Sequence, residues 1–428
     1  WSQVEAGHGC PISMTYSIVP ALRSRPDLAD EWEPRLTSRD YDPRDVPAHD
    51  KAGNLAGMGM TEKQGGSDVR ANTTRAEARA DGTWGLTGHK WFCSAPMCDL
   101  FLMLAQAPGG LSCFLVPRWL PDGARNDGFR LMRLKDKLGN RSNASREVEL
   151  DGATAWLVGD EGRGVRTIID MVTHTRLDCV LGATATTRAA TAQALHHATC
   201  RQAFGKALVD QPLMRNVLAD LAVESEAATV TALRLARAFD EADRGAAGAE
   251  GADLFRRLGT AVAKYWVCKR QPTVVGEALE CLGGNGYVEE SVLPRLFRES
   301  PLNGIWEGSG NVICLDVLRA AAREPAALQA FLDELALGRG ADRSLDTAID
   351  RVHAELADLD GIEGRARRVV EAMALALQAS LLVRHAHPAV ADAFCASRLA
   401  GDHGQALGTL PPTVDVAAIL DRARPEVA

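Results

Sequence analysis

The chain has 428 residues, 46% of them hydrophobic, and a net charge of −8. A chain of this length makes roughly two to four domains with ordinary cores, so no staple or metal is needed to fold it. The balance of 48 basic against 56 acidic residues excludes a generally basic nucleic-acid binder and leaves only local patches. None of the ten cysteines forms a C-x-x-C pair, which excludes zinc-ribbon and thioredoxin readings. They lie in apolar segments, as reduced, buried thiols of a cytoplasmic protein would. The stretch Met373–Val383 is about half as long as a membrane span and contains Gln378, so no membrane association is expected. No signal peptide is visible.

The first residue is Trp1, and residues 1–22 read as the middle and end of a helical region, so the chain is expected to be a fragment or a processed product. Residues 1–50 end in the polar connector Ser38–Asp45. From about Gly57 to Asp160 the texture is that of strands. Arg75–Ala80 and Trp84–Phe92 flank Asp81-Gly82, a hairpin signal. Asp99–Ala105 and Ser112–Pro117 flank Pro108-Gly-Gly, a second one. Phe129–Leu134 and Arg146–Leu150 add strands. With no long helix between them, these predict an antiparallel sandwich or barrel. After Gly164 the apolar period becomes helical. Four helices are predicted at Val165–Ala203, Pro212–Arg244, Ala252–Leu282 and Asn311–Arg323, broken at Phe204-Gly-Lys206, Gly245–Gly251 and Gly283–Gly286. Such an arrangement suggests a bundle. An alanine-rich helical region, residues 324–428, follows, with breaks at Gly338–Gly340 and Gly404. The division is therefore 1–50, 51–160, 161–323 and 324–428.

No G-x-G-x-x-G, P-loop, H-E-x-x-H or G-x-S-x-G motif is present, and no metal site is expected. What remains is four glycine-rich turns that also carry hydroxyl or amide side chains: Gly57–Asp68, Gly88–Ser94, Leu282–Tyr287 and Ile305–Asn311. One such turn is commonly only a helix cap. Four of them can present backbone N–H groups to an anionic, ring-containing cofactor. Glu307, between Trp306 and Gly308 ahead of a helix, is the best candidate base, because a carboxylate against an indole loses solvation. The competing reading is an ordinary glutamate favoured by a helix N-terminus.

These segments resemble the acyl-CoA dehydrogenase flavoproteins over residues 1–323. Met60-Thr-Glu-Lys-Gln-Gly-Gly-Ser-Asp68 is similar to the family's T-E-P-x-x-G-S-D. Gly88-His-Lys-Trp91 is similar to G-x-K-x-[WF]-I-[TS], and Lys137-Leu-Gly-Asn-Arg-Ser142 to K-x-G-x-R-x-S. Asp160–Gly164 resembles the turn before the long helix. Arg201-Gln-Ala-Phe-Gly205 with Gln211 resembles R-x-x-F-G…Q, and Ile305-Trp-Glu-Gly308 the [IV]-Y-E-G turn. The wording of G-M-T-E-K-Q-G-G-S-D, K-D-K-L-G-N-R-S-N-A-S and I-W-E-G-S-G-N, with the extra C-terminal helical region, is closest to the alkylation-response, AidB-like subfamily.

The resemblance implies an α+β fold: a partial N-terminal helical region, a central antiparallel β-barrel or sandwich, and a C-terminal four-helix bundle plus an extra helical region. It implies FAD as cofactor. Met58, Met60, Thr61, Gly66 and Ser67 would contact the flavin or its chain, and Trp91, Phe92 and Ser94 would line its other side. Arg201, Phe204 and Gln211 would reach the FAD of a neighbouring subunit, in a homotetramer built as a dimer of dimers. Glu280, Gly283 and Gly284 would lie near the adenosine end, with Glu280 where the family usually has glutamine. Trp306, Ser309 and Asn311 would touch the flavin from the turn of Glu307. The implied reaction is α,β-dehydrogenation of an acyl thioester, with Glu307 removing the α-proton. Some members place the base one residue before an arginine on the long helix. Here that residue is Thr175, before Arg176, which favours Glu307 as base and leaves Arg176 to the substrate. Trp306 in place of the usual tyrosine implies a narrow pocket.

Two functions are open on this reading: a flavin enzyme acting on an acyl-CoA-like molecule, or a flavoprotein that chiefly binds or protects DNA after alkylation. A helical scaffold with a relict flavin site is the bland third. Residues 321–428 hold 11 arginines, no lysine and 16 acidic residues, a net −5. Phosphate binding needs cations clustered on one face. Arg365, Arg367 and Arg368 cluster, but Asp358, Asp360, Glu363 and Glu371 surround them, so DNA binding is expected to be weak.

Overall fold

The computed structural model describes residues 1–245 and 248–425. The chain forms two compact units, Trp1–Asp178 and Cys179–Ala428.

The first unit opens with helices α1 (Ala6–Leu22) and α2 (Pro26–Leu36). Seven strands follow: β1 (Ala56–Gly59), β2 (Arg75–Ala78), β3 (Trp84–Ser94), β4 (Leu100–Ala107), β5 (Gly110–Pro117), β6 (Phe129–Leu134) and β7 (Ser145–Val158). Their order is β1-β4-β2-β3-β7-β5, and β5 pairs back onto β4, so five strands close a ring; β6 adds to β7. Both predicted hairpins form, β2–β3 and β4–β5, as antiparallel pairs. The expectation of a wholly antiparallel sheet is corrected in two places. β1 runs parallel to β4, and β2 meets β4 in parallel at Arg75 and Gln106. β1 reads Ala-Gly-Met-Gly, without a strand's alternation, and it arrives from the helices rather than from a hairpin. Its Gly57 is required by close approach: a Cβ there would lie 2.5 Å from the Phe101 ring. Leu86, Phe101, Phe114, Val116 and Val148 are fully buried, and Phe101, Phe114 and Val116 share one face of the β4–β5 pair. The connector into β1 is anchored by a buried ion pair, Lys51 to Asp99 at 2.8 Å, and Leu55 donates its N–H to the same carboxylate.

The long helix α3 (Gly164–Cys200) begins in the first unit and ends in the second. The second unit continues with a minimal hairpin, β8 (Gln202–Ala203) and β9 (Lys206–Ala207), then α4 (Pro212–Asp243) and α5 (Ala249–Cys281). Next come α6 (Gly284–Tyr287), α7 (Leu293–Glu299), α8 (Gly310–Arg323), α9 (Pro325–Ala336), α10 (Arg343–Ala357), α11 (Ile362–His385), α12 (Pro388–Phe394) and α13 (Val416–Ala423). The four predicted helices correspond to α3, α4, α5 and α8. Residues 246–247 of the break expected between α4 and α5, and residues 426–428 of the last region, lie outside the described residues.

The C-terminal helices are built into the bundle rather than appended to it. α11 packs on α4, α5, α8 and α9, and its Met373, Leu377, Leu381 and Leu382 are buried. Buried charge ties the layers. Glu334 on α9 pairs with Arg234 on α4 at 2.7 Å and Arg384 on α11 at 2.6 Å. Arg398, after α12, pairs with Asp220 and Glu224 on α4, and Glu224 also takes Arg270 of α5 at 2.9 Å. Removing one partner from such a set leaves an uncompensated charge in the interior.

All ten cysteines are free; nine are buried, but Cys200 at the end of α3 is exposed, a correction to the expectation of ten buried thiols. Burial pushes the Cys93, Cys113 and Cys268 thiols up to about 12, so these are inert. Among the described residues no helix is long and apolar enough to cross a membrane, and no His/Cys/Asp/Glu group could hold a metal ion.

Candidate active site

In the first unit the site is organised by Glu62, whose side chain is fully buried. Its carboxylate accepts five hydrogen bonds: the N–H and hydroxyl of Thr73, the N–H and hydroxyl of Thr74, and the ammonium of Lys90 at 2.9 Å. Burial alone would raise this carboxyl, but those donors outweigh it and bring it down to about 2. Lys90, on β3, also donates to the Leu104 carbonyl. Burial pulls the Lys90 ammonium below its ordinary value while Glu62 opposes that pull; the hydrogen-bonded pair pins the loop after β1 to β3 and β4.

The backbone completes the stitch. Trp91 donates its N–H to Thr61, and Asn72 donates its side-chain N–H to the Met60 carbonyl. Gly66 folds so tightly over Thr61 that a Cβ would lie 2.6 Å from the threonine hydroxyl oxygen. Met60, Thr61, Gly66 and Trp91 are thus brought together, with Met58 half-buried on β1. Trp91 is half-buried and Phe92 exposed, and the Lys135 ammonium lies 3.2 Å from the Trp91 ring centroid and 4.9 Å from that of Phe92. Ser94 turns to Ser145, 3.2 Å between hydroxyls, and Ser67 is exposed on the loop. Arg176 is buried on α3. The motif reading missed Glu62, Lys90 and Lys135 as organising residues. All three stand inside the quoted segments, but they also lean on residues outside them: Thr73 and Thr74 before β2, Leu104 on β4 and Glu147 on β7.

In the second unit, Phe204 (φ +53°) and Gly205 (φ +81°) form the tip of the β8–β9 hairpin. Gln211 donates to the Ala203 carbonyl and fixes the base of this hairpin. Arg201 is exposed, and Phe204 is 96% exposed, an apolar ring with no cover among the described residues. At the end of α5, Glu280 and Gly283 line an open, largely apolar groove with Leu279, Tyr287 and Phe297; Gly284 adjoins it as the first residue of α6.

The turn ahead of α8 carries two successive residues in positive-φ backbone. Glu307 has φ +58° and Gly308 φ +105°. Left-handed backbone costs a residue with a Cβ roughly 1–2 kcal/mol, so the surroundings must impose it. They do so through Lys264 of α5, 1% exposed, whose ammonium donates to the carbonyls of Trp306 at 2.8 Å and of Gly308. The Trp306 indole N–H donates to Asn303, and Asn303 donates to Gln271. Glu307 is half-buried. Ser309 opens α8 without a side-chain cap, and Asn311 accepts a hydrogen bond from Arg367 of α11 at 2.8 Å. Lys264 was also missed by the motif reading. Its signal was a single lysine in the apolar run Ala261–Cys268.

The arginine cluster of α11 is spent internally. Arg365 and Arg368 pair with Glu355 of α10, Arg365 also with Asp358 at 3.0 Å, and Arg367 holds Asn311. Glu355 does not figure among the four acids expected around the cluster.

Comparison with known proteins agrees with this construction. Residues 162–322 match the family described as acyl-CoA dehydrogenase, C-terminal domain; 57–153 match acyl-CoA dehydrogenase, middle domain; and 1–43 match adaptive response protein AidB N-terminal domain. The chain is 48% identical to AidB of Escherichia coli (strain K12) over 395 residues, 92% of this chain and 72% of that protein. It is 35% identical to acyl-CoA dehydrogenase family member 11 of Caenorhabditis elegans, over 75% of this chain and 53% of that protein. The crystal structure of Caenorhabditis elegans ACDH-11 in complex with C11-CoA superposes with a TM-score of 0.81 at 31% identity, over 91% of this chain and 72% of that one. A closed strand barrel in one unit and a helical bundle bearing a Trp-Glu-Gly turn in the other define a flavin-dependent oxidoreductase. The chain belongs to the acyl-CoA dehydrogenase family, whose members are FAD-dependent.

Proposed function

We propose that this protein carries out α,β-dehydrogenation of an acyl-CoA-like thioester, with Glu307 as the base. The observation that carries this reading is the turn Trp306-Glu307-Gly308. A glutamate is held in a left-handed conformation by a buried ammonium, a costly arrangement for a residue with no task. Glu307 is half-buried and so not sealed in the interior, in keeping with a base that must meet a substrate C–H.

The residues present suit FAD. The indole of Trp91 and the ring of Phe92 offer apolar surface beside the hydroxyl of Thr61, and the uncapped start of α8 at Ser309 offers backbone N–H groups. Met58, Met60, Thr61, Gly66, Ser67, Trp91, Phe92, Ser94, Trp306, Ser309 and Asn311 would hold it. FAD, when bound, supplies the two-electron acceptor. Glu307 takes the α-proton onto a carboxylate oxygen, Arg176 serves the thioester substrate, and Trp306 narrows the space for the acyl chain. The fully exposed Phe204, with Arg201 and Gln211, supports service to the cofactor of a second copy, as do Glu280, Gly283 and Gly284 at the adenosine end; the assembly is a homotetramer. The four-part division of the chain and a cytoplasmic location belong to the same reading.

A reading in which DNA is the main partner has one specific support, the match of residues 1–43 to an adaptive-response domain. The internal pairing of Arg365, Arg367 and Arg368 speaks against that cluster as a phosphate site, so we place it second. The deciding experiment adds short acyl-CoA compounds anaerobically to FAD-loaded protein and follows the visible flavin band.

A further inference from the structure

Lys264 has no part in the chemistry above, yet both hydrogen bonds recorded for its ammonium reach the turn of the proposed base. One goes to the Trp306 carbonyl at 2.8 Å and the other to the Gly308 carbonyl. These two carbonyls bracket the pair of positive-φ residues, Glu307 and Gly308. Neither residue can rotate toward ordinary backbone without breaking a charge-assisted hydrogen bond. Simple packing does not account for a lysine here. The site is buried, Ala261, Val267 and Cys268 one helical turn away on α5 are apolar, and an aliphatic side chain would fill it without desolvating a charge. The chain comes from α5, a helix 33 residues long, so the donor is mounted on a rigid element while the turn is irregular.

We propose that Lys264 is a positioning residue that locks the Glu307 turn in its working conformation; this rests on the reading of Glu307 as base. Lys264 touches neither substrate nor cofactor in this role. It fixes the backbone from which the carboxylate projects, and a displacement of about 1 Å in such a group can lower a rate by about a hundredfold.

The test uses FAD-loaded full chain labelled with 5-fluorotryptophan, with Trp306→Phe assigning the Trp306 resonance. Lys264→Met keeps the bulk and removes the donors. It is expected to retain FAD and its affinity for acyl-CoA, to bleach about 10–100-fold more slowly, and to shift the Trp306 fluorine signal. Lys264→Ala is expected to behave likewise and to recover rate and signal with propylamine, which restores an ammonium, but not with 1-propanol. Bleaching by Lys264→Met at the parent rate, or an unmoved Trp306 signal, would overturn the proposal; so would a loss of thermal stability with an unchanged rate. If Lys264→Met fails to fold, the alanine variant decides, and absence of recovery with propylamine overturns the lock. If the parent holds FAD but no acyl-CoA bleaches it, the reading of the reaction fails and with it the role of Lys264 in that reaction. The fluorine signal then still decides whether the ammonium holds the turn.

Discussion

At the scale of single residues two carboxylates stand in opposite settings. Glu62 is sealed in the barrel with five donors, and Glu307 stands half-open on a strained turn. Glu307→Gln keeps the shape and removes the base. It should retain FAD and lose bleaching by about 10²–10⁴-fold, measured by stopped flow. Glu62 makes a stability prediction. Its folded pKa of about 2 lies below its ordinary 4.5, so folding is favoured above pH 4.5 and that contribution disappears as pH falls toward 2. Glu62→Gln should lower stability at neutral pH by about 3 kcal/mol and flatten the decline between those pH values in urea titrations. A variant with the parent's acid profile would show that Glu62 does not anchor the loop. Of these residues, Glu307 is the one that the sequence singles out, through its neighbours Trp306 and Gly308, and its role as base is the proposal made above. Lys264 was not legible, because its acceptors are backbone carbonyls 42 and 44 residues further on, and carbonyls carry no sequence signal.

At the scale of elements, periodicity located the helices to within a few residues, since long amphipathic runs ending in glycine or proline leave little freedom. β1 escaped because a strand of Ala-Gly-Met-Gly has no alternation and is recruited by β4. The C-terminal helices were recognised as helices, but their role was not. The apolar run of α11 is core for α4, α5, α8 and α9, a fact that only the packing shows. Leu377→Ala should therefore destabilise the bundle by about 2–5 kcal/mol, as deletion of buried leucine atoms does elsewhere. A thermal melt that does not move would place α11 outside the core. The arginines of α11 teach the reverse lesson. Proximity in sequence suggested a patch, whereas Glu355 on α10 neutralises two of the three across the helical hairpin. Replacing Arg365, Arg367 and Arg368 by glutamine should change duplex affinity little at physiological salt, with exposed pairs losing at most about 1 kcal/mol each. Submicromolar binding abolished by that change would make the cluster a true phosphate site.

For the whole molecule, the uncovered Phe204 at the tip of the β8–β9 hairpin is the strongest sign that one chain is not the working unit. Phe204→Ser should leave the melting of the isolated chain within about 0.5 kcal/mol, yet weaken assembly and FAD retention in size-exclusion runs that record flavin absorbance. Unaltered assembly and flavin content would remove Phe204 from the interface. The central claim, that Glu307 serves an acyl-thioester dehydrogenation, is tested most directly by one titration. FAD-loaded protein is mixed anaerobically with a series of short acyl-CoA compounds, and the flavin band and the thioester product are followed together. Bleaching by at least one compound, with matching formation of the α,β-unsaturated thioester, is the expected result. Protein that holds FAD but is bleached by none of the series, and forms no unsaturated product, would contradict it.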